Sequence, residues 1–73
     1  MAKKVKYEDF LKIVAVNIKQ LRIVCGYTQE DMIQFGFNYR HYQKLESGKH
    51  SPSLSTIFRL SNVFKVDVSE IIR

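Results

Sequence analysis

The chain has 73 residues, 45% of them hydrophobic, with one proline and a formal charge of +5. These figures exclude a second independent domain and a disordered coil, because every apolar helical face must serve one small core and the apolar share is too high for a solvated chain. No apolar run approaches the roughly 20 residues that span a bilayer, and the start, MAKKVKYEDF, lacks the apolar stretch and cleavage site of a secretory signal; a cytoplasmic location away from membranes is expected.

In chain order, the lysine-bearing residues 1–6 read as a flexible basic arm. From about Tyr7 to Cys25, apolar residues recur as Phe10, Ile13, Val14, Ile18, Leu21 and Val24, and these spacings of three and four predict one helix. Gly26 closes it. Thr28 with Asp31 three residues on forms a capping-box-like start for a second helix running to about Phe35, with Met32 and Phe35 inward.

Gly36 supplies a positive-φ turn, and Asn38 is a good N-cap for a third helix from Tyr39 to about Ser47. Gly48 ends that helix. After the loop Lys49-His50-Ser51-Pro52, Ser53 caps a fourth helix bearing Leu54, Ile57, Phe58, Leu60 and Val63; a short fifth follows Asp67, with Glu70 completing its capping box and Ile71 and Ile72 on its apolar side. No period-two alternation marks a strand, so the expected class is all-α: one compact five-helix bundle over residues 1–73.

The segment Thr28–Ser53 holds the chemistry. Two short capped helices about a glycine turn can present one of them to a DNA groove, and Tyr39, Arg40, His41, Gln43 and Lys44 give the second a donor-rich surface, while Tyr42 and Leu45 turn inward. His41 has a phase between the exposed and buried faces. The excess of positive charge favours an anionic partner without naming one.

No enzyme is expected, because neither His41 nor His50 has a nucleophile or carboxylate at useful spacing and no glycine-rich phosphate loop is present. The lone Cys25 cannot form an internal disulfide and lacks local metal-ligand spacing, so it is expected as a small semi-buried side chain near a helix end, with no metal and no cofactor.

These residues resemble the helix-turn-helix family of phage Cro and repressor proteins, the XRE-like regulators, which have the lambda-repressor-like DNA-binding fold. The likeness covers about Ile18 to Ile72: Leu21-Arg22 before Gly26, Thr28-Gln29-Glu30-Asp31-Met32, Leu45-Glu46-Ser47-Gly48-Lys49, Pro52-Ser53-Leu54 and Val66-Asp67-Val68. Between Met32 and Gly36 the chain is a residue shorter than the usual pattern, which implies a trimmed or more tightly wound second helix.

The resemblance implies that the third helix lies in the major groove, with Tyr39, Arg40, Gln43 and Lys44 near bases. Arg40 suits guanine and Gln43 suits adenine. Gln29, Asn38, Lys49, His50 and Ser51 are implied phosphate contacts, and Arg22 with Glu46 an implied structural ion pair. It further implies a regulator of transcription, acting as a homodimer on a roughly symmetric operator by blocking or touching RNA polymerase. A restriction-modification controller is one such type. The surplus of late apolar residues, Val63, Phe64, Val66, Val68, Ile71 and Ile72, is expected to supply the dimer contact. The competing expectation is a protein-interaction module of the same fold, such as an antitoxin or a polymerase-contacting adaptor.

Overall fold

The computed structural model describes residues 4–73. Of the expected basic arm, residues 1–3 lie outside the described residues; Lys4, Val5 and Lys6 are exposed, and Lys6 is the N-cap of the first helix. The order is α1 (Tyr7–Val24), a 3-10 helix (Glu30–Phe35), α2 (Tyr39–Ser47), α3 (Leu54–Phe64) and α4 (Ser69–Ile72), with no strand among the described residues.

Helix α1 has no side-chain N-cap, but Glu8 and Asp9 in its first turn and Arg22 in its last complement the helix dipole. Its end folds back on itself: the amides of Cys25, Gly26 and Tyr27 donate to the carbonyls of Leu21, Ile23 and Arg22. The buried face consists of Val14, Ala15, Ile18 and Arg22. This corrects the expected stripe, since Phe10, Ile13 and Val24 are exposed. A core this small covers only a narrow strip of an 18-residue helix, and α1 carries apolar side chains on more than one face.

The second element is a six-residue 3-10 helix and not an α-helix. Its rise of about 2.0 Å per residue, against about 1.5 Å in an α-helix, lets a segment with one residue fewer still span the distance from Thr28 to the turn. The capping box forms reciprocally, Thr28 N–H donating to Asp31 Oδ2 at 2.7 Å and Asp31 N–H to Thr28 Oγ1 at 3.1 Å.

Asn38 Oδ1 accepts from His41 N–H to cap α2, and Ser53 Oγ accepts from Thr56 N–H to cap α3. At α4 the cap differs from expectation. Asp67 Oδ1 accepts from Ser69 N–H, but Glu70 turns outward to Arg73 at 2.9 Å and closes no capping box.

The core joins all five elements through Val14, Ile18, Met32, Phe37, Tyr42, Leu45, Ile57, Leu60, Phe64 and Ile71. Helix α1 is its spine, packing on α2, α3 and α4. Asn17, halfway along α1, donates from Nδ2 to the carbonyls of Ile71 at 2.9 Å and Arg73 at 2.7 Å, which fixes α4 against the spine. Cys25 is exposed, not semi-buried; its thiol lies 3.8 Å from the Phe64 carbonyl.

Candidate nucleic-acid interface

Helix α2 is held from below by Tyr42 and Leu45, both essentially without solvent contact, so its register cannot slip. That orientation leaves Arg40, His41, Gln43 and Lys44 exposed and Tyr39 half-buried. Two left-handed glycines bracket the helix, Gly36 at φ 89° and Gly48 at φ 77°. An aromatic shell fixes the turn that enters it, Phe37 lying edge-to-face on Tyr42 at 5.6 Å and Tyr27 on Phe35 at 5.2 Å.

The only acid on α2, Glu46, points away from the exposed face. Its carboxylate receives Arg22 Nε at 2.7 Å and Nη2 at 3.1 Å in a bidentate pair, while Arg22 Nη1 donates to the Tyr27 carbonyl at 2.7 Å. Burial opposes the charge on Glu46, yet the hydrogen bonding and charge around it, Arg22 foremost, outweigh it and hold the carboxyl below the usual range. The Arg22 guanidinium is raised in turn by its bond to Glu46. Tyr42 Oη is buried beside this pair with no partner at hydrogen-bonding geometry among the described residues, and burial pushes its phenol well above the ordinary value.

With Glu46 neutralised from within, the outward side of α2 and the following loop is left to Arg40, Lys44, Lys49 and the two histidines. The four residues expected near bases therefore share one accessible helix. Gln43 is not free-standing: its Nε2 lies 3.4 Å from Gln29 Oε1.

The five expected phosphate residues are more engaged within the protein. Gln29 Nε2 donates to Glu46 Oε1 at 3.1 Å, which turns its amide toward the ion pair. Asn38 uses Oδ1 on the helix cap and keeps its amide hydrogens. Ser51 accepts from the Tyr7 hydroxyl, leaving its own hydrogen to donate. His50 packs edge-to-face on His41 with ring centres 4.8 Å apart, so the loop and α2 touch at their exposed ends. Lys49 is exposed, with its backbone N–H on Ser47 Oγ.

Beside Tyr39, an open cleft is lined by Arg22, Tyr27, Thr28, Gln29 and Glu30. Tyr27, Thr28 and Tyr39 are the hydroxyl-bearing residues of its lining.

Of the six residues expected at a dimer contact, Phe64 and Ile71 are core residues, with 3% and 0% of their surface exposed, so neither can reach a second chain. Val63 and Val66 are partly buried against the same core. Only Val68 and Ile72 remain substantially exposed, and Ile72 joins an apolar groove of about 250 Å³ with Tyr7, Phe10, Leu11, Pro52 and Leu54. Leu54, the first residue of α3, is 88% exposed.

The family model described as Helix-turn-helix matches residues 18–71, which takes in everything from the middle of α1 to α4. The chain belongs to the XRE-type helix-turn-helix family. This helix-turn-helix protein is 31% identical over 65 residues to y4dJ of Sinorhizobium fredii, described as an uncharacterised HTH-type transcriptional regulator, covering 88% of this chain and 84% of that one. It is 35% identical over 58 residues to YonR, an SPbeta prophage-derived uncharacterised HTH-type transcriptional regulator of Bacillus subtilis, covering 78% of this chain but 54% of that one.

The fold is shared with a crystal structure of the hypothetical transcription factor NHTF from Neisseria, at a TM-score of 0.81 and 19% identity, over 100% of this chain and 86% of the other. Membership makes it a DNA-binding protein of the transcription-regulator type, and no helix among the described residues is long and apolar enough to cross a membrane.

Two features had no signal in the sequence. The Gln43–Gln29–Glu46 contacts join residues 14 and 17 apart, and Arg59 of α3 reaches the glycine turn 24 residues away. Only three-dimensional placement brings these polar side chains together.

Proposed function

We propose that this helix-turn-helix protein is a sequence-specific double-stranded DNA-binding regulator of transcription that works as a homodimer on a roughly symmetric operator. The observation that carries the reading is the polarity of α2: its one acid is turned inward onto Arg22 while Arg40, Gln43 and Lys44 stand exposed. A helix built in this way fits a groove whose walls are phosphate and whose floor offers base acceptors. Arg40, Gln43, Lys44 and Tyr39 are assigned to bases. Lys49, His50, Ser51, the amide of Asn38 and the cleft beside Gln29 are assigned to phosphates.

A single module of this size makes few base contacts, and a two-fold pair places two reading helices about 34 Å apart, one turn of DNA. The dimer contact is assigned to the exposed Val68 and to Ile72 with the apolar groove it lines together with Phe10 and Leu54. Bound at a promoter, such a dimer acts by occupancy, excluding RNA polymerase or touching it from an upstream site.

Selection from a randomised duplex pool, followed by titration at several salt concentrations, tests this reading. A regulator retains one symmetric sequence with two half-sites about one turn apart, and its affinity falls steeply with salt. Binding without sequence preference would contradict regulation, and a single unpaired site would contradict the dimer.

A further inference from the structure

His41 on the exposed side of α2 and the half-buried His50 on the loop beyond Gly48 meet edge-to-face, their ring centres 4.8 Å apart and their planes at 79°. With a metal–nitrogen distance of about 2.05 Å and a ring centre about 1.15 Å beyond the nitrogen, two imidazoles on one ion lie about 4.5 Å apart at right-angled coordination and about 5.2 Å apart at tetrahedral coordination. The observed separation falls between the two. The Cβ–Cγ bond of a histidine points at its ring centre, so rotation about that bond, which has broad minima, turns the nitrogens without moving either centre.

We infer that His41 and His50 form a two-nitrogen site for a transition-metal ion of the Zn2+, Ni2+ or Cu2+ class. Imidazole nitrogen suits these ions, whereas Mg2+ and Ca2+ seek oxygen. No third histidine, cysteine or carboxylate joins the pair among the described residues, so water completes the coordination and the site is open and weak by itself. Its consequence for DNA rests on the regulator reading above. Lys49, assigned to a phosphate, directly precedes His50, so an ion held here brings two more positive charges and replaceable waters to the DNA backbone. Metal and duplex then strengthen each other's binding by the same factor in either order.

The test adds zinc chloride to the full chain, with magnesium chloride as the control, and follows the imidazole signals by NMR. Zinc is expected to shift both rings together with one affinity, and magnesium to shift neither. His41→Asn should weaken the zinc response of His50 at least tenfold. The cap on Asn38 uses the backbone N–H of His41 and not its ring, so this variant keeps the start of α2, which a melting curve checks. No zinc response, or a response of His50 that survives His41→Asn at unchanged affinity, overturns the site.

With duplex present, zinc should tighten binding by roughly tenfold in the wild type and leave His41→Asn unchanged relative to its own zinc-free affinity. Equal zinc effects in the two proteins overturn the coupling to DNA. A wild-type chain that binds no duplex with or without zinc contradicts the regulator reading, and the NMR titration, which contains no DNA, still decides the metal site.

Discussion

The guanidinium of Arg59 lies 4.4 Å from the centre of the Phe37 ring while its Nη2 donates to the Phe35 carbonyl at 3.0 Å, so one side chain of α3 clamps both sides of the Gly36 turn. The flat guanidinium can stack and donate in its own plane at once, which an ammonium cannot do. Arg59→Ala is expected to cost about 1–2 kcal/mol, the sum of an exposed cation–π contact and one hydrogen bond. Arg59→Lys should recover little of it. A melting curve checks this, each kcal/mol moving the midpoint of a domain this small by about 4–8 °C.

The glycines at the two turns should respond differently to a methyl group. A Cβ at Gly26, φ +82°, meets nothing within 4 Å, whereas at Gly36, φ +89°, it lies 3.0 Å from Arg59 Nη2. Gly26→Ala should show backbone strain alone, about 1–2 kcal/mol. Gly36→Ala should cost more, and the excess should vanish when Arg59→Ala is combined with it. Equal losses for the two glycines in urea titrations would contradict the clamp.

Glu46→Ala leaves Arg22 buried, 8% exposed, without its counter-charge. The expected loss is about 3–5 kcal/mol. The pH dependence follows from the sign of the shift. Because the folded carboxyl is held below its usual range, its contribution is complete above the ordinary carboxylate value of about 4.3 and fades as pH falls through the lowered one. The stability gap between wild type and Glu46→Gln should therefore be constant near neutrality and narrow below about pH 4, as chemical denaturation across pH will show.

Tyr42→Phe removes a buried hydroxyl with no partner at hydrogen-bonding geometry among the described residues and keeps the ring against Phe37. The substitution should be neutral or stabilise by up to about 1 kcal/mol. A loss above that range in a urea titration would mean that the hydroxyl supports the neighbouring ion pair.

On DNA, Arg40→Ala should relax specificity at one base-pair position by about 1–3 kcal/mol, whereas Lys49→Ala should weaken all sequences alike and make the salt dependence shallower. Binding isotherms at several salt concentrations on matched and single-mismatch duplexes distinguish the two. Identical behaviour would erase the division between base and phosphate contacts.

The turns and caps were legible in the sequence because each rests on a local rule. Thr28 with Asp31, Asn38 and Ser53 bond to amides three residues away, and Gly36 and Gly48 take the left-handed conformation that other residues avoid. The inward face of α2 was legible too, since Tyr42 and Leu45 are its only large apolar residues after the half-buried Tyr39. Helix α1 was less so. Phe10, Ile13, Val16, Ile23 and Val24 decorate its exposed sides, and periodicity cannot say which of several apolar stripes a small core will cover. The same ambiguity placed Phe64 and Ile71 at an interface when they fill the core. Hydrophobicity says that a side chain is covered, not by which neighbour.

Asn17 ties the end of the bundle to its spine by holding the carbonyls of Ile71 and Arg73 with a single carboxamide. A helix of four residues has almost no internal hydrogen bonding with which to stand alone. With α4 anchored in this way, the amides of α4 are expected to exchange with solvent in concert with the middle of α1, and independent fraying of the last turn in hydrogen exchange would contradict that coupling.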